Sequence, residues 1–397
     1  MKRLNIYILI LFLLIVLGTT SAQTTIQKVL SEIENNNKTL KTAKQSADLQ
    51  KIDVRTGIYL SNPSVEYERT WGNRETNHAI ENELKIVQEF DFPTAYSQRN
   101  KIVGLKSTQA DAQYQMVRQE ILLEAKQLCI QVVYLNKAKI ILDERLKNAE
   151  ELDKSYKKRL ETGDANILET NKIALELLNV KTEQRLNDSE RRNCLIKLKE
   201  INGEADIVFT DRTYQEIDPA NFNFEAILQK SIETNPELQN LEQQKQIAEK
   251  SVSLAKSMAL PKISMGYITN FSGQERFNGF HAGISIPLWE NKNTVKRAKT
   301  EANITGMEID NTRLIQTNKL QQLYDKMLVL KESVREFKLL LTGQNNEQLL
   351  KKALSSGQIS LLEYLTELNF LYQSTGNFLQ TERDYYSTVA ELTKADL

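Results

Sequence analysis

Cysteine, histidine and proline are all scarce in this chain of 397 residues, which has two Cys, two His, six Pro and 14 Gly. Two cysteines cannot build a disulfide framework, and the lone histidines His78 and His281 have no further ligands nearby to complete a metal site. So few Pro and Gly cannot punctuate many short elements, which favours few and long helices. Net charge is missing as well, because 52 basic and 52 acidic residues cancel. A nucleic-acid partner would need a basic surface to displace counterions from phosphates. Catalytic signatures are absent too: there is no Gly-x-Ser-x-Gly, no phosphate loop and no Cys-x-x-Cys. These absences exclude an enzyme and point to no cofactor.

The N-terminus holds the longest apolar stretch. Lys2 and Arg3 precede Leu4 to Leu17, and "GTTSAQ" follows. That order of charge, apolar core and small residues predicts a signal peptide over 1–22, cleaved after Ala22. A bilayer-crossing helix needs about 20 apolar residues, more than this run offers. No Cys follows it, which argues against a lipid anchor, and nothing after residue 23 would cross a membrane as a helix.

The rest of the chain reads as two copies of one unit, 23–210 and 211–397. An offset of 194 aligns Gly163 with Gly357, Pro93 with Pro287, and Glu169 with Glu363, while Pro63 and Pro261 pair at 198. In each copy a helix (26–58, then 224–259) leads to a Pro, two alternating segments follow, and then come two long helices. Ile121, Leu128, Leu135, Leu142, Ala149 and Tyr156 recur every seven residues, with Ala125, Val132, Leu146 and Leu160 on a companion seam. In the second copy Leu320, Leu323, Met327, Leu330, Val334, Phe337 and Leu341 step by three and four. Such a period imposes left-handed supercoiling on partner helices. The residues from Thr94 to Leu160 would span roughly 100 Å as helix.

Two short stretches interrupt this helical pattern, "RLETGDANILE" and "ALSSGQISLLE". Gly163 and Gly357 suit the left-handed residue that ends a helix. Asn166 with Glu169, and Ser360 with Glu363, have the spacing of a capping box, with Ile359 and Tyr364 placed for a hydrophobic staple. Each stretch therefore predicts the tip of an antiparallel helical hairpin, over about 94–201 and 288–394.

The segments between the prolines alternate with period two and read as strands over about 63–71, 78–92, 261–271 and 279–287. Val65, Tyr67 and Trp71 lie opposite Ser64, Glu66, Glu68 and Thr70; Phe280, Ala282, Ile284 and Ile286 lie opposite His281, Gly283 and Ser285. Two readings fit: half-buried hairpins on a soluble sheet, or membrane strands with an apolar face toward lipid. Four strands cannot close a barrel with a lumen, so the second reading requires several chains to share one.

The order of these parts, with "FDFP" and "GISIPLWENKNTVKRAKTEAN" at the strand-to-helix junctions and "RLETG" and "ALSSG" at the tips, resembles the TolC family of outer-membrane efflux proteins, in its heavy-metal-type branch. The resemblance covers essentially the whole mature chain. It departs at the junctions, where "ENKN" and "TAYSQ" replace the family's Gly-Arg-type stretch. It implies a mostly α fold with a small β part: a homotrimer with a 12-strand outer-membrane barrel and a periplasmic tunnel of helical hairpins. It also implies a passive channel working with a periplasmic adaptor (a membrane fusion protein) and an inner-membrane pump of the resistance-nodulation-division type.

By that resemblance Arg159, Leu160, Gly163, Asp164, Leu354, Ser355, Gly357 and Gln358 form the adaptor-docking tips. Glu363 and Thr366 hold the positions of an acidic pore constriction, and Thr366 lacks the second acid. Two roles fit Glu363, a selectivity ring or simply the capping box with Ser360. Cys129 and Cys194 lie equally far from the first tip and hence at one height of the hairpin, which fits either a disulfide or two separate buried thiols. The rival reading is a periplasmic helical-hairpin adaptor, but such proteins carry one hairpin flanked by Gly-rich β domains.

Overall fold

The computed structural model describes residues 25–71, 80–215, 217, 222–272, 275–341 and 346–397. The expected signal peptide and His78 lie outside the described residues. Element order is α1 (Thr25–Asn36), α2 (Lys38–Thr56), β1 (Ser64–Thr70), β2 (Glu81–Phe90), α3 (Pro93–Thr162), α4 (Ile167–Ile201), α5 (Phe224–Thr234), α6 (Pro236–Met258), β3 (Lys262–Ser272), β4 (Glu275–Ser285), α7 (Thr294–Leu341), α8 (Asn346–Ser355) and α9 (Leu361–Leu392). The helix, strand, strand, helix, turn, helix order thus runs twice. Among the described residues no helix is long and apolar enough to cross a membrane.

The described chain divides into two units, the first being the described residues of 25–41, 118–231 and 318–397. Its seams are built as the heptads predict. Leu135, Leu142, Ala149 and Tyr156, with Ala125 and Val132 on the companion seam, are buried, as are Leu320 and Met327 in the second copy, and the other heptad positions are half-buried. One core gathers Val29 and Ile33 of α1, Ala125 to Leu135 of α3, Cys194 and Leu198 of α4, and Phe209 and Tyr214 beyond it. A second core joins Leu320 and Met327 to Tyr385, Val389 and Leu392.

The expected helices over 26–58 and 224–259 are each broken. Asn37 separates α1 from α2, where its side chain accepts the Leu40 amide at 2.8 Å and donates to the Ile201 carbonyl at 2.7 Å. Asn235 caps α6, accepting from Glu237 and Leu238, with Pro236 as first helical residue. An Asn side chain competes with the backbone for its hydrogen bonds and so favours caps. The two breaks stand 198 residues apart, the offset of Pro63 and Pro261.

The second unit, 42–117 and 232–317, contains an antiparallel sheet in the order β1-β2-β3-β4. Its register sorts side chains into two unlike faces. One face is a stack of transverse rows: Arg69–Asn82–Phe271–Arg276 at the turn end, then Tyr67–Leu84–Thr269–Asn278, Val65–Ile86–Tyr267–Phe280, Gln88–Met265–Ala282 and Phe90–Ile263–Ile284 toward the helices. Its apolar members stand largely in the open, with Phe280 95% and Ile284 72% exposed. The other face carries Glu66, Glu68, Glu81, Glu83, Glu89 and Glu275, balanced by Lys85 and Lys262.

Two boundaries differ from expectation. β4 begins at Glu275, not 279, because the ladder to β3 continues through Arg276 and Glu275. There Arg276 and Asn278 fall on the apolar face and Phe277 on the polar one, which inverts the period-two signal. The helix expected from 288 starts at Thr294: Asn293 adopts φ +66°, and Asn291 donates its amide to the Met258 carbonyl at 2.5 Å. In the first copy the helix starts at Pro93 itself, pinned by an Arg99–Asp91 ion pair at 2.6 Å.

Candidate functional site

Both hairpin tips are built alike. Gly163 (φ +78°) and Gly357 (φ +69°) end their helices in the left-handed region. The Asp164 amide donates to the Arg159 carbonyl at 2.7 Å and Gly163 to Leu160 at 3.2 Å; Gln358 to Ala353 and Gly357 to Leu354 repeat the pair at 2.9 and 3.1 Å. These are Schellman closures, which satisfy carbonyls the helix end would otherwise orphan. No heavy atom lies within 4 Å of a Cβ built on either glycine, so backbone conformation alone demands Gly there.

Each return helix then opens with a complete capping box. The Asn166 amide donates to Glu169 Oε2 and the Glu169 amide to Asn166 Oδ1, both at 2.9 Å. Ser360 donates its amide to Glu363 Oε2 at 2.8 Å and accepts the Glu363 amide at 3.2 Å. The backbone hydrogen bond from Ser360 holds the Glu363 carboxyl below the usual glutamate range, so it stays charged. Thr366 turns its hydroxyl back to the Leu362 carbonyl at 2.8 Å.

Beneath the tips the two hairpins share one core. Tyr156 and Ile173 of the first pack with Leu361, Tyr364, Leu365 and Leu368 of the second, and Ile359 and Leu354 lean against them. Tyr364 is fully buried, and burial pushes its phenol up to about 12. A polar group lies alongside: Asn148 donates to Glu347 and accepts from Lys351, while Arg145 pairs with Glu183 at 2.6 Å and stacks over Tyr372 at 4.6 Å. Arg159 sits over the Tyr156 ring at 4.9 Å. Of the expected docking residues, Arg159, Gly163, Asp164, Ser355, Gly357 and Gln358 are exposed, whereas Leu160 and Leu354 are half-buried.

Two tip residues escape sequence reasoning. Leu168 (69% exposed) and Leu362 (56%) project from the first turns of α4 and α9 and are related by the same 194-residue offset as the glycines. Extending the alignment by five residues past each Gly would have found them.

Cys129 and Cys194 are both buried free thiols in one core. Burial pushes the Cys129 thiol up to about 12 and also raises Cys194. His281 meets Ser264 Oγ at 3.5 Å on the polar sheet face. Among the described residues no group of three or more potential metal ligands converges.

No family model matches the chain. The outer membrane protein TolC of Vibrio cholerae is 23% identical over 279 residues, 65% of this chain and 60% of that relative's length. Among solved structures, CusC superposes with a TM-score of 0.78 at 15% identity over 94% of this chain and 92% of its own. The Campylobacter jejuni CmeC outer membrane channel gives 0.77 at 16% identity, covering 94% and 85%. These relatives are channel proteins rather than enzymes, and the fold of this chain is that of the TolC-type outer-membrane channels.

Proposed function

We propose that this chain is the outer-membrane channel of a tripartite efflux system. It acts as a homotrimer in which three sheets close a 12-strand barrel and the helical hairpins line a periplasmic tunnel. The observation that carries this reading is the sheet itself: an exposed apolar face backed by a polar face, in strands continuous with the helices. Water tolerates such an apolar patch poorly, and lipid accommodates it. A helical-hairpin adaptor has no use for that surface.

Conduction through the channel is passive. An inner-membrane pump, of the resistance-nodulation-division type, supplies the energy, and a periplasmic adaptor docks at the tips around Arg159, Asp164, Ser355 and Gln358. The exposed pair Leu168 and Leu362 adds apolar contact to that surface. Glu363 serves two roles at once: its carboxylate closes the capping box and, fully exposed, faces its copies across the three-fold axis. Membership of the heavy-metal branch belongs to the same proposal and rests on the junction and tip motifs. The duplication of 23–210 in 211–397 is supported by the twin tips and twin Asn breaks.

Planar-bilayer recording of the purified protein tests the channel. Discrete conductance steps support it; a preparation that inserts no conductance overturns it.

A further inference from the structure

Charge on the apolar face of the sheet is confined to one place. Its only charged side chains among the described residues are Arg69 and Arg276, and the register sets both in the same end row with Asn82 and Phe271. Every carboxylate of the described strand residues lies on the opposite face, so among the described residues neither arginine has an acidic neighbour on its own. Arg276 stacks over the Phe271 ring at 5.0 Å and donates through Nε to Thr269 and Asn278 at 3.3 and 3.2 Å. Arg69 is exposed near the end of β1, two residues before Trp71, which is 76% exposed.

We infer that Arg69 and Arg276 bind a phosphate of the phosphorylated glycolipid that forms the outer leaflet. This rests on the channel reading, which places the turn end of the sheet outside and the apolar face toward lipid. An arginine on a lipid face is costly at mid-bilayer and nearly cost-free at the interface, so this row marks the headgroup level. Aromatic side chains such as Trp71 and Phe271 belong at that level.

The two arginines also lie on the two edge strands, β1 and β4. Barrel closure sets β4 of one copy beside β1 of the next, so both arginines border the seam between copies. Each planar guanidinium fork matches the geometry of phosphate oxygens.

Native mass spectrometry of the full-length protein in detergent, titrated with bisphosphorylated lipid A or its dephosphorylated form, tests the inference. Wild type is expected to retain the phosphorylated form selectively, Arg69→Gln/Arg276→Gln to lose about tenfold in retention, and the Lys/Lys variant to recover only the part that charge alone supplies. Equal retention by the Gln/Gln variant, or no preference by wild type for the phosphorylated form, overturns it. Planar-bilayer conductance of the same samples keeps the two readings apart. Conducting wild type without lipid selectivity sinks this inference alone, and absent conductance sinks the channel.

Discussion

Gly163 and Gly357 occupy the same position in two turns of one design 194 residues apart, each left-handed and each followed three residues later by the N-cap of a return helix. Nothing crowds either glycine, so Gly163→Ala and Gly357→Ala isolate the conformational cost. Each should destabilise by about 1–2 kcal/mol, the penalty for a side chain in the left-handed region. Chemical denaturation in detergent measures this, and a change below about 0.5 kcal/mol in both would show that the turns relax at no cost.

The Glu363 box makes the second tip sensitive to acid. Because the folded carboxyl titrates below its unfolded value, its contribution is fully present above the ordinary glutamate range and disappears as pH falls through the lowered folded value. The hydrogen-exchange protection factor of the Ser360 amide, which donates to that carboxylate, should fall in that acid window for wild type. Glu363→Gln should show no such step, and a step that persists in it would assign the pH dependence to another group.

Gly266 of β3 pairs with Val87 of β2, and a Cβ there would fall 2.3 Å from the Ile86 carbonyl oxygen and 2.9 Å from Val87 Cγ2. Gly266→Ala should cost about 1–3 kcal/mol by forcing the strands apart. Gly279→Ala, with open space around it, should stay within about 0.5 kcal/mol. Thermal melting of the two variants side by side checks the contrast, and equal losses would contradict the pairing of Gly266 with Val87.

The two thiols allow a chemical test of the core. Deep burial and raised pKa values predict that Cys129 and Cys194 resist iodoacetamide at neutral pH in the folded protein and both react once it is unfolded. Peptide mapping without reductant should find both labelled after denaturation. A mapped Cys129–Cys194 disulfide would contradict the thiol assignment.

Leu168 and Leu362 are exposed, so changing both to Asp should leave stability within about 0.5 kcal/mol. If they belong to the docking surface, pull-down of the cognate adaptor should fall several-fold. Undiminished capture would remove them from it.

Much of this fold was legible in the sequence because long helices and amphipathic strands announce themselves by period. Gly163, Gly357 and both capping boxes were readable since each depends on local chemistry alone. The breaks at Asn37 and Asn235 were not, because an Asn inside a polar helical run changes no hydrophobic period, and the Asn37 amide is fixed by a carbonyl 164 residues away. The start of β4 at Glu275 was hidden for a similar reason, as its polar residues pair through backbone. The Tyr156–Tyr364 core between the tips needs the fold, since two heptad seams predict that helices pair without saying which hairpins meet. The lone arginines of the apolar face needed the register.

The trimeric channel is the claim on which the rest depends, and negative-stain electron microscopy of protein purified from outer membranes tests it most directly. A trimeric channel predicts particles with three-fold end views and a side view that combines a detergent-ringed barrel with a helical tunnel. Compact monomers, or a protein that never reaches the outer membrane, would contradict it.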